Sequence, residues 1–213
     1  MSRIFMLTAG IFLLGAGIYV SIDTITEVSD VTLTMRALFF PSADKKPANL
    51  TSAGAQKQTP LSGIAAKFQN SLMILDDNGN PSALDSSKLA GVKYWAFYYS
   101  ASWCPPCRAF TPDLVSFYRD FKPSHPEFEL IFVNDDRSED AMLDYMKNDS
   151  MPWPAIWYAD INNPELEARK YCGEGIPCLV LVDSDGQVIS DTFQGGQYTN
   201  PHHVIDDIRA TVR

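Results

Sequence analysis

The sequence predicts an α/β fold with a central mixed sheet flanked by helices, preceded by an N-terminal transmembrane or signal segment. Three observations carry this expectation. Short apolar runs of strand-forming residues alternate with stretches of helical periodicity from about Leu72 onward. Two later apolar runs flank Asp183-Ser184-Asp185-Gly186, a hairpin signal that makes the last part of the sheet antiparallel. The nineteen residues from Ile4 to Ile22 carry no charge.

At 213 residues the chain is long enough for one domain with extra segments. With 46% hydrophobic and 20% charged residues it is globular in composition. A formal net charge of −9 lacks the basic footprint that nucleic acid or anionic lipid attracts, so no nucleic-acid partner is expected. The organisation read from the sequence is a membrane anchor or signal segment over 1–22, a linker over 23–57 and a folded domain over 58–213.

In a helix the Ile4–Ile22 run reaches roughly 28 Å, close to the hydrocarbon thickness of a bilayer. A cleavable signal competes with an anchor, since Arg3 forms a small positive region and Gly15, Ala16 and Gly17 suit a peptidase. Both readings export the rest of the chain. Arg3 precedes the run and Asp23, Glu27 and Asp30 follow it, so the positive-inside bias gives the same orientation. The expected location is extracytoplasmic, with residues 4–22 as the membrane contact. The following segment loses periodicity, and SADKKPANLTSAGAQKQTP reads as a polar linker.

The domain opens on a short helical stretch, an apolar strand at Leu72–Leu75 and a turn at Asn78-Gly79. Tyr94–Tyr99 (YWAFYY) is too short for a typical helix and rich in strand formers, which predicts a strand buried on both faces. Phe110, Leu114, Phe117, Tyr118 and Phe121 then recur at helical spacing, with Pro112 inside the pattern as an expected kink. A second strand at Leu130–Val133 and a second helix carrying Ala141, Met142, Tyr145 and Met146 repeat the alternation. Pro164–Tyr171 has room for one or two helical turns, and Leu179–Val182 with Val188–Ile189 forms the hairpin. Asn200-Pro201 supplies the cap and first-turn proline of a last helix striped by Val204, Ile205, Ile208 and Val212.

The chemistry is concentrated in Trp103-Cys104-Pro105-Pro106-Cys107, between the Tyr94–Tyr99 strand and the helix that follows. Two cysteines three apart at a helix start can close a small disulfide ring, and Pro105 near the first helical position forfeits no intrahelical hydrogen bond. The positive end of the helix favours a thiolate on Cys104, the expected nucleophile. Cys107, one turn inward, is the expected resolving thiol. Half of a zinc site is one competing reading, but the five-residue separation of Cys172 and Cys178 from each other's positions in the chain is not the usual knuckle. A permanent structural disulfide is another, though so short a loop constrains the unfolded chain little. His125, His202 and His203 show no spacing that points to metal or acid–base work.

The stretch YYSASWCPPCRAFTPDLVSFYRDF resembles the active-site segment of tryparedoxins and nucleoredoxins, within the thioredoxin superfamily. IFVNDDRSEDAMLDYM and MPWPAIWY are similar to the same group, and the likeness covers about residues 68–190. The anchor together with the motif is more similar to membrane-tethered reductases of the TlpA/ResA type. The resemblance implies a thioredoxin-like fold, catalytic Cys104 and Cys107, motif prolines Pro105 and Pro106, and Trp103 as an aromatic wall for substrate. It further implies a cis-proline at Pro177, with Ile176 offering backbone groups to a client peptide. Thioredoxins proper carry a buried acid six residues before the first cysteine, where this chain has Tyr98. The TlpA-type acid six residues after it is replaced by Phe110. Proton handling is left to water, Tyr98 or a more distant carboxylate. Cys178 follows the cis-proline, where Thr is common in the superfamily; it is either an auxiliary redox thiol or a small buried residue, Cys172 reads as silent, and a Cys172–Cys178 disulfide is the alternative hypothesis.

Together these readings predict a membrane-tethered extracytoplasmic disulfide reductase acting on protein disulfide or dithiol clients and recharged by a thiol electron donor that the sequence does not identify. An oxidase or isomerase, and a non-catalytic peptide-binding module, are the alternatives. The dithiol itself carries the two electrons, so neither cofactor nor metal enters the expectation.

Overall fold

The computed structural model of the chain describes residues 61–213 apart from Cys172, together with two short strands near the N-terminus. Those strands, β1 (Ile11–Leu14) and β2 (Gly17–Val20), pair antiparallel with Leu14 opposite Gly17. They lie within the run expected to form a membrane helix, whose other residues, like the 23–57 linker, fall outside the described residues. An uncharged run rich in Ile, Val, Phe and Tyr suits a strand as well as a helix, because hydropathy alone does not separate the two. Among the described residues no helix is long and apolar enough to cross a membrane.

The domain is built on one seven-stranded sheet of β3 (Leu72–Leu75), β4 (Pro81–Ala83), β5 (Tyr94–Ser100), β6 (Phe128–Asn134), β7 (Ala155–Ile156), β8 (Cys178–Asp183) and β9 (Val188–Asp191). The spatial order is β4-β3-β7-β6-β5-β8-β9. β5, β6 and β7 run parallel, and the remaining neighbours are antiparallel. The sheet is therefore mixed, as expected. Four helices accompany it among the described residues: α1 (Gly63–Phe68), α2 (Pro105–Phe121), α3 (Glu139–Asn148) and α4 (Pro201–Thr211).

Strand periodicity splits the apolar residues between two cores. Along β5, Ala96 and Tyr98 face the core built with α2, α3 and α4, while Trp95, Phe97 and Tyr99 face the core built with α1 and the 161–168 segment. Both sets are fully buried, which explains why YWAFYY shows no polar alternation. α2 continues across Pro112 as one helix. A helix-interior proline costs about 3 kcal/mol. Burial of Phe110, Leu114, Val115, Phe117 and Tyr118 on the sheet side exceeds that, at about 1.5–3 kcal/mol for each large side chain.

Some elements depart from expectation. The 164–171 segment forms turns rather than helix, and Glu167 in the left-handed region (φ 47°) interrupts any helical run there. β7 is only two residues long, too short to show a period, and emerges from the Pro-broken aromatic stretch. A second hairpin, β10 (Phe193–Gln194) and β11 (Gln197–Tyr198), turns through Gly195 and Gly196, both at positive φ.

Candidate active site

The parallel pairing of β5 and β6 brings their C-terminal ends side by side, with Ser100 opposite Asn134. The WCPPC loop leaves the end of β5, and Cys104 is the N-cap of α2. Cys104 and Cys107 are joined as a disulfide, with their Cα atoms 5.2 Å apart. The Cys107 backbone N–H donates to Cys104 Sγ at 3.2 Å, so an unpaired amide of the first helical turn points at the outer sulfur. Cys104 is 4% exposed and Cys107 is fully buried, which makes the first sulfur the accessible one.

The Ile176–Pro177 bond is cis, in agreement with the resemblance. The Ile176 carbonyl oxygen lies 3.7 Å from Cys104 Sγ, so the loop before β8 faces the disulfide directly. Pro106 and Pro177 line one end of a groove of about 290 Å³ that continues along Phe110, Tyr198 and His202. Trp103 stands half exposed beside the site, its indole N–H donating to the Asp135 carbonyl at 3.0 Å. Thus Cys104 meets the Ile176 carbonyl, Pro106 and Pro177 share a groove, and Trp103 stands next to Cys104 in the loop, with Cys107 buried behind it.

Tyr98 lies beneath the site. Its hydroxyl is 2.9 Å from Thr111 Oγ1 and donates to the Cys107 carbonyl at 3.4 Å. Thr111 Oγ1 also meets Tyr145 Oη at 2.6 Å and the Cys107 carbonyl at 2.9 Å, and Tyr145 Oη continues to Ser100 Oγ at 2.9 Å. Burial first, and the neighbouring Tyr145 second, push the Tyr98 hydroxyl well above the ordinary phenol range. Burial likewise raises Tyr145. Both therefore stay protonated at neutral pH, and Tyr98 is a hydrogen-bonding residue under Cys107.

Cys178 is fully buried and belongs to the core on the face of the sheet away from α2. Its thiol donates to Asp191 Oδ1 at 3.8 Å. Cys172 falls outside the described residues, so the Cys172–Cys178 pairing does as well. Among the described residues, no group of three His, Cys, Asp or Glu side chains is placed to hold a metal ion. His202, at the start of α4, pairs with Asp113 at 3.0 Å, and His125 stacks on Phe121.

Sequence reasoning missed Thr111, Tyr145 and the Asp135-Asp136 pair. The first two sit on helical faces that look like ordinary core. The third follows a strand parallel to β5, and the convergence of loops at the carboxyl ends of parallel strands is the signal that points to it.

Residues 91–188 match the Thioredoxin-like family. Tryparedoxin I from Leishmania major is 33% identical and superposes with a TM-score of 0.51, covering 70% of this chain and 95% of that one. The chain belongs to the thioredoxin-like family. Tryparedoxin II from C. fasciculata is 30% identical with a TM-score of 0.55, covering 72% of this chain and 93% of that one. Nucleoredoxin from Mus musculus is 43% identical over 117 residues, which is 55% of this chain and 26% of the relative. Probable nucleoredoxin 1 from Arabidopsis thaliana is 34% identical over 139 residues, 63% of this chain and 23% of the relative. The chain thus spans about a quarter of the length of these nucleoredoxins. This thioredoxin-like domain is of the oxidoreductase type.

Proposed function

We propose that this chain is a membrane-tethered, extracytoplasmic disulfide reductase acting on protein clients. The observation that carries the reading is the Cys104–Cys107 disulfide at the start of α2, with its outer sulfur facing the cis Ile176–Pro177 loop and its inner sulfur fully buried.

In the reduced protein, the amide N–H of Cys107 and the positive end of α2 stabilise a thiolate on Cys104. That thiolate attacks one sulfur of a client disulfide, forming a mixed disulfide and releasing the other client sulfur as a thiolate, which takes a proton from water. The Ile176 backbone pairs with the extended client strand. Cys107 then gives up its proton to solvent and attacks Cys104 Sγ, closing the internal disulfide and expelling the second client thiolate. Two electrons have passed to the client. A donor dithiol outside this chain restores the pair by the same exchange in reverse.

The tether rests on the uncharged Ile4–Ile22 run, and the extracytoplasmic location on the acidic residues that follow it. Carbonate extraction of membranes expressing the full chain tests this, since recovery as a soluble shortened species would remove the anchor from the proposal.

The catalytic assignment is tested with Cys107→Ser and Cys104→Ser in the full chain. Cys107→Ser accumulates mixed disulfides with clients, and Cys104→Ser accumulates none; equal trapping by both would overturn the division of roles. Equilibration in thiol buffers then reads the direction of electron flow: a midpoint below about −220 mV supports a reductant, and one near −120 to −180 mV replaces it with an oxidase or isomerase.

A further inference from the structure

We propose that Asp136 is a positioning residue that clamps the Ser102-Trp103 loop and so sets the place of Trp103 beside the reactive disulfide. The inference rests on the reductase reading above.

Asp136 lies just past the end of β6 and is 8% exposed. Its Oδ1 accepts two hydrogen bonds from one residue, the Ser102 backbone N–H at 2.8 Å and the Ser102 hydroxyl at 2.7 Å. The next residue is Trp103, whose indole N–H donates to the backbone carbonyl of Asp135. Two successive residues of the loop are therefore tied to two successive residues beyond β6. The anchor is itself held from both sides. Asn134 Oδ1 accepts the Asp136 N–H at 2.9 Å, and the Asp135 N–H donates to the Ser100 carbonyl at 2.9 Å.

Asp136 Oδ2 is buried without a hydrogen-bond partner in the structure. Burying a polar atom unpaired is costly, so the side chain is kept in place by what Oδ1 does. Charge-assisted bonds of this kind are roughly twice as strong as neutral ones. Trp103 is otherwise poorly held, being half exposed with one hydrogen bond from its ring. Its position over the site depends on the backbone at Ser102.

The chemistry at sulfur does not use Asp136, so the clamp acts on client engagement. A small disulfide reagent needs only Cys104, whereas a folded or extended protein client also contacts Trp103. Asp136→Ala in the full chain loses both bonds to Ser102 and is expected to raise KM for a protein disulfide such as insulin about tenfold or more, and to leave kcat within about twofold. The rate of the reduced protein with dithiobis(nitrobenzoate) is expected to change less than the insulin KM does. Asp136→Asn retains an oxygen acceptor and is expected to restore KM.

A second readout needs no client. Trp95, Trp153 and Trp157 are buried and Trp103 is half exposed, so acrylamide quenching reports mainly on Trp103. Quenching should rise in Asp136→Ala and return toward wild type in Asp136→Asn. Ser102→Ala removes one of the two bonds and should shift both readouts in the same direction by less, which keeps the test usable if Asp136→Ala fails to fold. Unchanged KM and quenching in the variants, or an Asn variant as defective as Ala, would overturn the clamp. A wild-type protein that quenches as expected but never reduces insulin would overturn the reductase reading instead.

Discussion

The Tyr98 hydroxyl meets the Thr111 hydroxyl at 2.9 Å, and both reach the carbonyl of Cys107. A buried phenol thus occupies the sequence position where thioredoxins carry an acid, and it supports the resolving cysteine through its backbone. Tyr98→Phe deletes the contacts of the hydroxyl with Thr111 and with the Cys107 carbonyl but leaves that carbonyl satisfied by Thr111. The expected loss is about 1 kcal/mol, a fall in Tm of about 2–4 °C by calorimetry. The pH–rate profile should keep its shape, and a lost ionisation would show that Tyr98 handles a proton after all.

Three tyrosines, Tyr98, Tyr118 and Tyr145, are raised above the usual phenol range, in each case chiefly by burial. In the unfolded chain they titrate near 10. Between that value and their folded values the unfolded state binds fewer protons than the native state, so stability falls as pH rises. Their contribution is intact below about pH 10 and declines above it, with a slope of about 1.4 kcal/mol per pH unit for each group. Urea unfolding at pH 8 to 11 should show this decline, and Tyr145→Phe should make it shallower. A flat profile would contradict it.

Glu129 is buried on β6, where Oε1 accepts from Tyr118 at 2.7 Å and Oε2 pairs with Lys122 at 3.2 Å. Glu129→Ala strands the Tyr118 hydroxyl and leaves Lys122 with only the carbonyls of Phe128 and Pro126. The expected cost is about 2–4 kcal/mol, somewhat less than for a fully buried pair because Lys122 is partly exposed. Denaturant unfolding measures it. A loss below about 1 kcal/mol would mean that solvent compensates both groups.

A Cβ on Gly173 would clash with the Phe193 ring of β10. This is the approach that lets Phe193 pack beside the segment leading to cis-Pro177. Gly173→Ala should destabilise by about 1–3 kcal/mol through overpacking and weaken client turnover. Phe193→Leu should relieve part of the loss, giving a coupling energy of about 0.5 kcal/mol or more in a double-mutant cycle. Additive effects would show that the two positions do not compete for the space.

Much of the architecture is legible in the sequence because its signals are local. Helical spacing of Phe110, Leu114 and Phe117 announces α2, the apolar YWAFYY run announces β5, and Asn200-Pro201 announces α4, whose first amide is capped by Asn200. The WCPPC motif needs only its neighbours in the chain to identify a strand-to-helix junction. The tertiary structure decided what those local signals cannot reach. It placed Tyr98 under Cys107 as a donor, turned Cys178 to the face of the sheet away from α2, and brought Asp136 to Ser102 across 34 residues of chain. The second depends on the antiparallel register of β5 with β8, and the third on the parallel register of β5 with β6. Register is set by the packing of whole strands against two cores, so no single segment encodes which distant side chain will meet it.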